Sequence, residues 1–226
     1  VNFKENSFKE MRKFLLKNKI YSGIGFNSII NKKIDFDGIK KNKVFQILKV
    51  YDKSPGIVTN SGWQTKAINL KKNTDVEWLP TQAVIYKKSK IKNFRFENSL
   101  GKYSYLEDLD FSYQVSKIGK LVINCKAKYS SNNEVKRNFF IFGIKEVVNR
   151  QSFVKKNKLN YLNFSFGLIL LLIKNFIYIF LNNFNYVFRL FGNISGCILI
   201  FFKFKNINKF IDQVFWGFQE KFHINN

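Results

Sequence analysis

The stretch Tyr103–Ile123, YSYLEDLDFSYQVSKIGKLVI, decides how the rest of the chain is read. Three carboxylates, Glu107, Asp108 and Asp110, fall within four residues. They occupy the first turn of a predicted helix, where negative charge complements the aligned peptide dipoles. Phe111, Val115 and Ile118 follow at i, i+4 and i+7, the spacing of one buried helical face. Lys117 falls in the last turn, Gly119 suits the position just past a helix end, and KLVINCKAKY then alternates as a strand does. Acids at a helix start are common and contribute about 0.3–1 kcal/mol each. Three in one turn repel one another and exceed what capping requires. Two readings therefore stand: plain dipole compensation, or a site that holds a cation, binds a hydroxyl or supplies a general base.

The acids are conspicuous because the chain is basic. Its 226 residues carry a net charge of +24, with 39 Lys and Arg against 15 Asp and Glu. Such a balance favours anionic partners: nucleic acid, anionic lipid or phosphorylated ligands. An apolar fraction of 46% argues against intrinsic disorder and allows a packed core. Cys125 and Cys197 lie far apart without metal-ligand spacing, so neither a disulfide framework nor a thiolate metal site is expected. His223, the only histidine, sits near the C-terminus among polar residues, which argues against a zinc centre or a His-based triad. Val1 opens a polar segment with no signal-like apolar run.

Outward from the acid cluster, ENSFKEMRKFLLKN reads as an amphipathic helix, with Ser7 and Glu10 in capping-box spacing. YSGIGFNSII (Tyr21–Ile30) reads as a buried strand, which leaves its GIGF no role as a phosphate cradle. Asn31–Lys43 is a polar, basic loop, and VFQILKVYD is ambiguous between helix and strand. SPGIVTNSGWQT places glycine turns around a short strand. VEWLP reads as a strand ending at Pro80, and TQAVIYKKS as a short helix or turn.

Beyond Lys128 the chain turns basic at Lys136, Arg137, Lys145, Arg150, Lys155, Lys156 and Lys158, a run that fits an anionic lipid surface. The most apolar segment follows. Tyr161–Leu181 is long enough to span a bilayer, but Lys174 near its middle would cost about 2.5–3.5 kcal/mol there. Lys174, Tyr178, Asn182, Asn185 and Arg189 form a polar stripe; Ile169, Ile173, Phe176, Phe180 and Phe184 lie opposite. This pattern favours helices lying in the membrane interface over a clean span. A buried hairpin in a soluble core is the alternative.

The segments Trp78-Leu79-Pro80, Tyr86-Lys87-Lys88, Phe96-Glu97-Asn98-Ser99-Leu100, Glu107 through Tyr113 and Lys117-Ile118-Gly119, in this order, resemble the acceptor-side half of bacterial family 2 glycosyltransferases. The clear similarity covers about Val76–Lys158. It implies an α/β fold: part of a GT-A, Rossmann-like nucleotide-diphospho-sugar transferase, a mixed sheet with flanking helices. Residues 1–158 would form this acceptor-side part, and 159–226 a membrane-associating region of apolar and amphipathic helices. The implied activity is inverting transfer of a sugar from a nucleotide-sugar to an acceptor hydroxyl, on a glycan or lipid-linked acceptor, in cell-surface polysaccharide or glycolipid assembly. The implied location is the cytoplasmic face of a bacterial inner membrane, peripheral or integral, on an anionic surface. The resemblance makes Asp108 the base and assigns acceptor contacts to Glu107, Asp110, Trp78, Thr81 and Gln82. It also implies a divalent metal, Mg or Mn, on an Asp-x-Asp motif. The first helix and strand here look like those that follow that motif, so the donor-binding half would precede this chain, and the 226 residues alone would be inactive.

Three departures bear on this. Thr81-Gln82 replaces a small, often Gly-containing pair; Gln114 stands where Arg is common; and Ser131 aligns with a His that can help hold the metal. A hydroxyl is a poor substitute for imidazole as a ligand, which leaves no metal ligand assigned in this chain. Two other classes compete. A basic nucleic-acid-binding protein would use the charge and the 18% aromatic content, but its cations would be scattered and its apolar segment idle, so no nucleic-acid partner is expected. A non-enzymatic membrane protein would use the acids as helix caps alone.

Overall fold

The computed structural model describes residues 1–30, 43–47, 49–101, 104–131, 138–181, 184–204 and 206–222. Most of the polar loop from Asn31, together with Tyr103, Lys136, Arg137, Asn182 and His223, lies outside the described residues. The chain divides into two compact units: Val1–Phe96 with Asp108–Val135, and Glu97–Glu107 with Lys136–Asn226. This division differs from a boundary at Lys158, because the helix after Asn138 belongs with the C-terminal helices.

The first unit is built on a mixed sheet of β1 (Asn2–Phe3), β2 (Gly23–Ser28), β3 (Thr74–Val76), β4 (Val84–Tyr86) and β5 (Leu121–Ser130). β2 runs parallel to β5 with Gly23 opposite Leu121, and β4 lies antiparallel on the outer side of β2. β1 and β3 pair antiparallel with the two ends of β5. An α/β class with a mixed sheet is what the sequence predicts.

Alternation along β2 sorts its faces. Ile24 and Phe26 join Met11 of α1 (Ser7–Lys17) and Tyr129 in one core cluster. On the other face Gly25 leaves room for Leu79: a Cβ there would stand 2.6 Å from Leu79 Cδ2. Leu79 is fully buried and packs with Val76, Phe111, Val115, Leu121 and Ile123. Gly23 in the same way makes space for the Tyr86 ring, so the GIGF glycines serve close packing. The β2–β5 register shifts between Phe26 and Asn27. Asn27 fills that bulge, donating to the carbonyls of Leu70 and Cys125 and accepting from Leu70 N–H.

Several local expectations are corrected. The predicted capping box does not form: Asn6 precedes α1 in a left-handed conformation with no side-chain cap. Ser7 Oγ instead donates to Lys128 O at 2.6 Å and accepts from Lys128 N–H, tying α1 to β5. The ambiguous VFQILKVYD begins within α2 (Lys43–Ile47), which starts at the last residue of the expected loop. The VEWLP strand is only β3, ending at Val76. TQAVIYKKS is a 3-10 turn (Thr81–Ala83), then β4, then α3 (Lys88–Ile91), because the Val-Ile-Tyr run can pair with β2. Gly56 and Gly62 have left-handed φ of 74° and 81°, but the short strand expected between them is only an isolated bridge between Val58 and Gln64, which closes around Gly62.

The acidic helix is α4 (Glu107–Ser116), with Phe111 and Val115 buried. Ile118 lies past its end and is 51% exposed. Gly119 does not need a left-handed φ; a Cβ there would strike Ser22 Oγ.

The second unit holds α5 (Phe139–Lys156), α6 (Tyr161–Phe180), α7 (Asn185–Phe201) and α8 (Ile207–Phe222). α5 and α7 approach at Gly143, Gly192 and Gly196: a Cβ on Gly192 would collide with Phe140 O, and one on Gly143 with Arg189 O. Glycines four apart permit such backbone contact between helices. Around this crossing the interior is polar. Glu146 takes both Arg189 Nη2 (2.8 Å) and Nε (3.1 Å), while Asn193 donates to Gly143 O and to Glu146. Lys145, fully buried, reaches Asp212 of α8 at 2.7 Å, and Arg150, also buried, donates to Tyr105 Oη. Lys145 and Arg150 are therefore interior groups and not part of a lipid-facing basic run.

Removing one member of a buried ion pair strands the other, at about 3–5 kcal/mol, whereas apolar replacement of both is far less costly. Glu146→Leu alone is expected to destabilise the protein more than Glu146→Leu with Arg189→Met. Denaturant midpoints of the two variants test this; equal loss would mean the pair is not coupled.

Candidate functional site

The site suggested by the sequence lies where α4 begins. Ser112, one turn into that helix and fully buried, builds it. Its hydroxyl accepts the Leu79 N–H at 3.0 Å and donates to Asp108 O at 2.5 Å. One hydroxyl thus joins the Trp78-Leu79-Pro80 segment to the first turn of α4. This bridge was not singled out from sequence, although Ser112 stands inside the Glu107–Tyr113 motif. The available signal was a Ser at i+4 from Asp108, a spacing from which a helical hydroxyl bonds back to a carbonyl.

Asp108 is half-buried, and its Oδ1 accepts the Leu109 N–H at 2.8 Å. Two tyrosines feel its charge. Burial pushes the Tyr86 phenol well above its ordinary value, with the Ser112 hydroxyl opposing and Asp108 adding. Tyr86 Oη nevertheless makes no hydrogen bond of normal geometry. Tyr129 is raised by burial first, with Ser28 opposing and Asp108 adding. Both phenols stay protonated at neutral pH. Tyr86 belongs to the segment matched above, but its electrostatic link to Asp108 depends on the antiparallel pairing of β4 and has no local sequence signal.

Asp110 has another role. It is 4% exposed, and its Oδ2 accepts Gln114 Nε2 at 2.8 Å, while the same amide reaches Asp110 O. Gln114, in place of the more common Arg, is a neutral partner for a buried acid. Glu107 opens α4 and donates its N–H to Ser104 O, directly after Leu106, which holds a left-handed φ of 76°. A non-glycine residue in that region is strained, and such strain persists only where its surroundings enforce it.

Trp78 is half-buried, and its indole N–H donates to Thr65 O at 3.0 Å. Glu77 beside it accepts the Val58 N–H at 2.7 Å. Together they hold the glycine-turn hairpin, so only the ring of Trp78 is left to meet an acceptor. Thr81 and Gln82 are exposed in the turn after Pro80. The structure therefore brings Asp108 to the Trp78–Pro80 segment through Ser112 and turns Asp110 inward.

Among the described residues no group of three or more His, Cys, Asp or Glu is placed to hold a metal ion. Asp110 is committed to Gln114, and Ser131 is exposed past the end of β5. The described residues of this site therefore do not form a ligand set for a divalent metal.

Ser112→Ala would leave the buried Leu79 N–H without its acceptor, a loss of about 1–3 kcal/mol. An unchanged denaturation midpoint would show that the bridge contributes nothing. Comparison with protein-family models, curated proteins and solved structures finds no match to this chain.

Proposed function

We propose that the chain is the acceptor-side part of a membrane-associated inverting glycosyltransferase of the GT-A type. The observation that supports this reading is the Ser112 bridge, which ties the backbone carbonyl of the half-buried Asp108 to the Leu79 N–H, next to Trp78. In the reaction, the Asp108 carboxylate takes the proton of an acceptor hydroxyl. The acceptor oxygen forms a bond to the anomeric carbon from the face opposite the leaving group. The nucleoside diphosphate departs with the bonding electron pair, and the configuration inverts. Trp78 offers a ring surface against which a sugar can lie, and Thr81 and Gln82 offer exposed polar groups that can select it. On the resemblance Glu107 and Asp110 orient the acceptor or hold the helix start, and the bond from Gln114 favours the second role for Asp110.

On the resemblance, the donor nucleotide-sugar and a Mg or Mn ion are held by residues outside these 226, and the acceptor is a glycan or lipid-linked sugar at the cytoplasmic face of a bacterial inner membrane. Burial of Lys145, Arg150 and Arg189 in helix contacts weakens a nucleic-acid reading, since phosphate binding needs accessible cations. Weak salt dependence of any nucleic-acid binding would agree with this.

Asp108→Asn keeps an oxygen for the Leu109 N–H, so folding is preserved while proton acceptance is lost. In the full-length protein this substitution is expected to reduce sugar transfer by at least the 10²–10⁴-fold that general-base catalysis supplies. Transfer at the wild-type rate would remove Asp108 from the role of base. The 226-residue chain by itself is expected to show no turnover of nucleotide-sugars; turnover would place a donor site within it.

A further inference from the structure

We infer that the α6–α7 hairpin lies flat in one leaflet of an anionic bilayer, with both helices along the headgroup–acyl boundary. This rests on the membrane association proposed above and not on the transferase chemistry. α6 is long and apolar enough to cross a membrane, with 20 residues and a mean hydropathy of 1.8, and only 28% of its apolar window is buried within the protein. Its exposed residues form a stripe along the full helix: Leu162, Phe166, Ile169, Ile173, Phe176 and Phe180. α7 carries a second exposed stripe, from Phe184 and Phe188 through Phe191 to Ile198 and Phe201.

Charge selects the occupant. Between Glu146 and Asp212 the sequence contains no acidic residue. Both of those acids are held by interior cations, Arg189 and Lys145. Lys155 and Lys158 precede α6, beside Lys156, which is paired with Glu97 at 3.0 Å, and Lys203 follows α7. Exposed aromatic and aliphatic stripes flanked by cations, with no acid in the sequence between Glu146 and Asp212, match an anionic lipid surface.

Interlocking of the helices sets the orientation. α5 and α7 are joined at Gly143, Gly192 and Gly196, so they move as one body. Phe139, the first residue of α5, has its ring 6.4 Å from that of Tyr186 in the first turn of α7. The exposed N-cap Asn138 therefore stands at the hairpin tip. Tip-first entry would carry the exposed Asn138, and the Glu146–Arg189 pair near that end, into hydrocarbon. α7, at 17 residues, extends about 26 Å at 1.5 Å per residue, short of a roughly 30 Å core. A flat pose leaves the polar interior around α5 above the membrane and places Lys174, midway along α6, at headgroup depth.

Single tryptophans at Phe166, Ile173 and Phe180, in full-length protein bound to phosphatidylglycerol/phosphatidylethanolamine vesicles, test the pose by quenching with lipids brominated at different acyl depths. The native tryptophans are replaced by Phe in the parent used for this measurement. Equal, shallow quenching at all three sites is expected, together with loss of vesicle flotation in Phe166→Ser/Phe176→Ser/Phe188→Ser. Depth that changes steadily from Phe166 to Phe180 would overturn the flat pose while leaving membrane association standing. Absence of flotation by the parent protein would overturn membrane association itself. Neither readout depends on sugar transfer, which is assayed separately on soluble acceptor.

Discussion

The first unit depends on the hydroxyl of Ser112. A helix start and a segment leaving a strand each present backbone groups that pairing within the sheet does not use, and burial makes unsatisfied groups costly. Ser112 satisfies Leu79 N–H and bonds Asp108 O with one oxygen. Leu79 can then fill the space over Gly25, and Phe111 and Val115 can close the same cluster. Because this contact is to backbone, it fixes where Asp108 stands without consuming its carboxylate.

The second unit solves a different problem. Apolar surface cannot hold α5 in register, because α5 carries Lys145, Glu146, Asn149 and Arg150 in consecutive turns, all buried. Each is matched by a specific partner: Asp212, Arg189, Asn208 and Tyr105. Glycine contacts at Gly143 and Gly192 bring the α5 and α7 backbones close enough for Asn193 to reach Gly143 O, while Asn175 of α6 donates to Asn193 at 2.5 Å. Such an interior gains specificity from directional bonds more than from net energy.

What was legible in the sequence follows from this contrast. β2, α4 and β5 were readable because their cores repeat with local periods: Ile24 and Phe26, Phe111 and Val115, Leu121 and Ile123. The apolar stripe of α6 was readable for the same reason, and its Ile169, Ile173, Phe176 and Phe180 are exposed. Lys145 and Arg150 were misread as surface cations because burial of a charge depends on its partner, and Asp212 lies 67 residues from Lys145. Ser7 failed similarly: it has a plausible local role, as cap, that the structure replaces with a tertiary bond to Lys128. The acid cluster was visible at once, but that Asp110 is its buried member, bonded by Gln114, required the structure.

That assignment constrains the chemistry. Among the described residues, Glu77, Glu146 and Asp212 accept from groups that hold their units together. Asp108 is also bonded locally, through Leu109 N–H, and the helix dipole at its position favours the charged form and weakens it as a base. A weak base suits the proposed reaction if bond breaking to the nucleoside diphosphate runs ahead of proton transfer. The acceptor hydroxyl then becomes acidic only as its oxygen bonds to the anomeric carbon, and a weak carboxylate base can take the proton at that stage. Neutral Tyr86 and Tyr129, kept protonated by burial, add no competing negative charge beside it. Position, fixed through Ser112, is then a larger part of what the protein supplies than basicity.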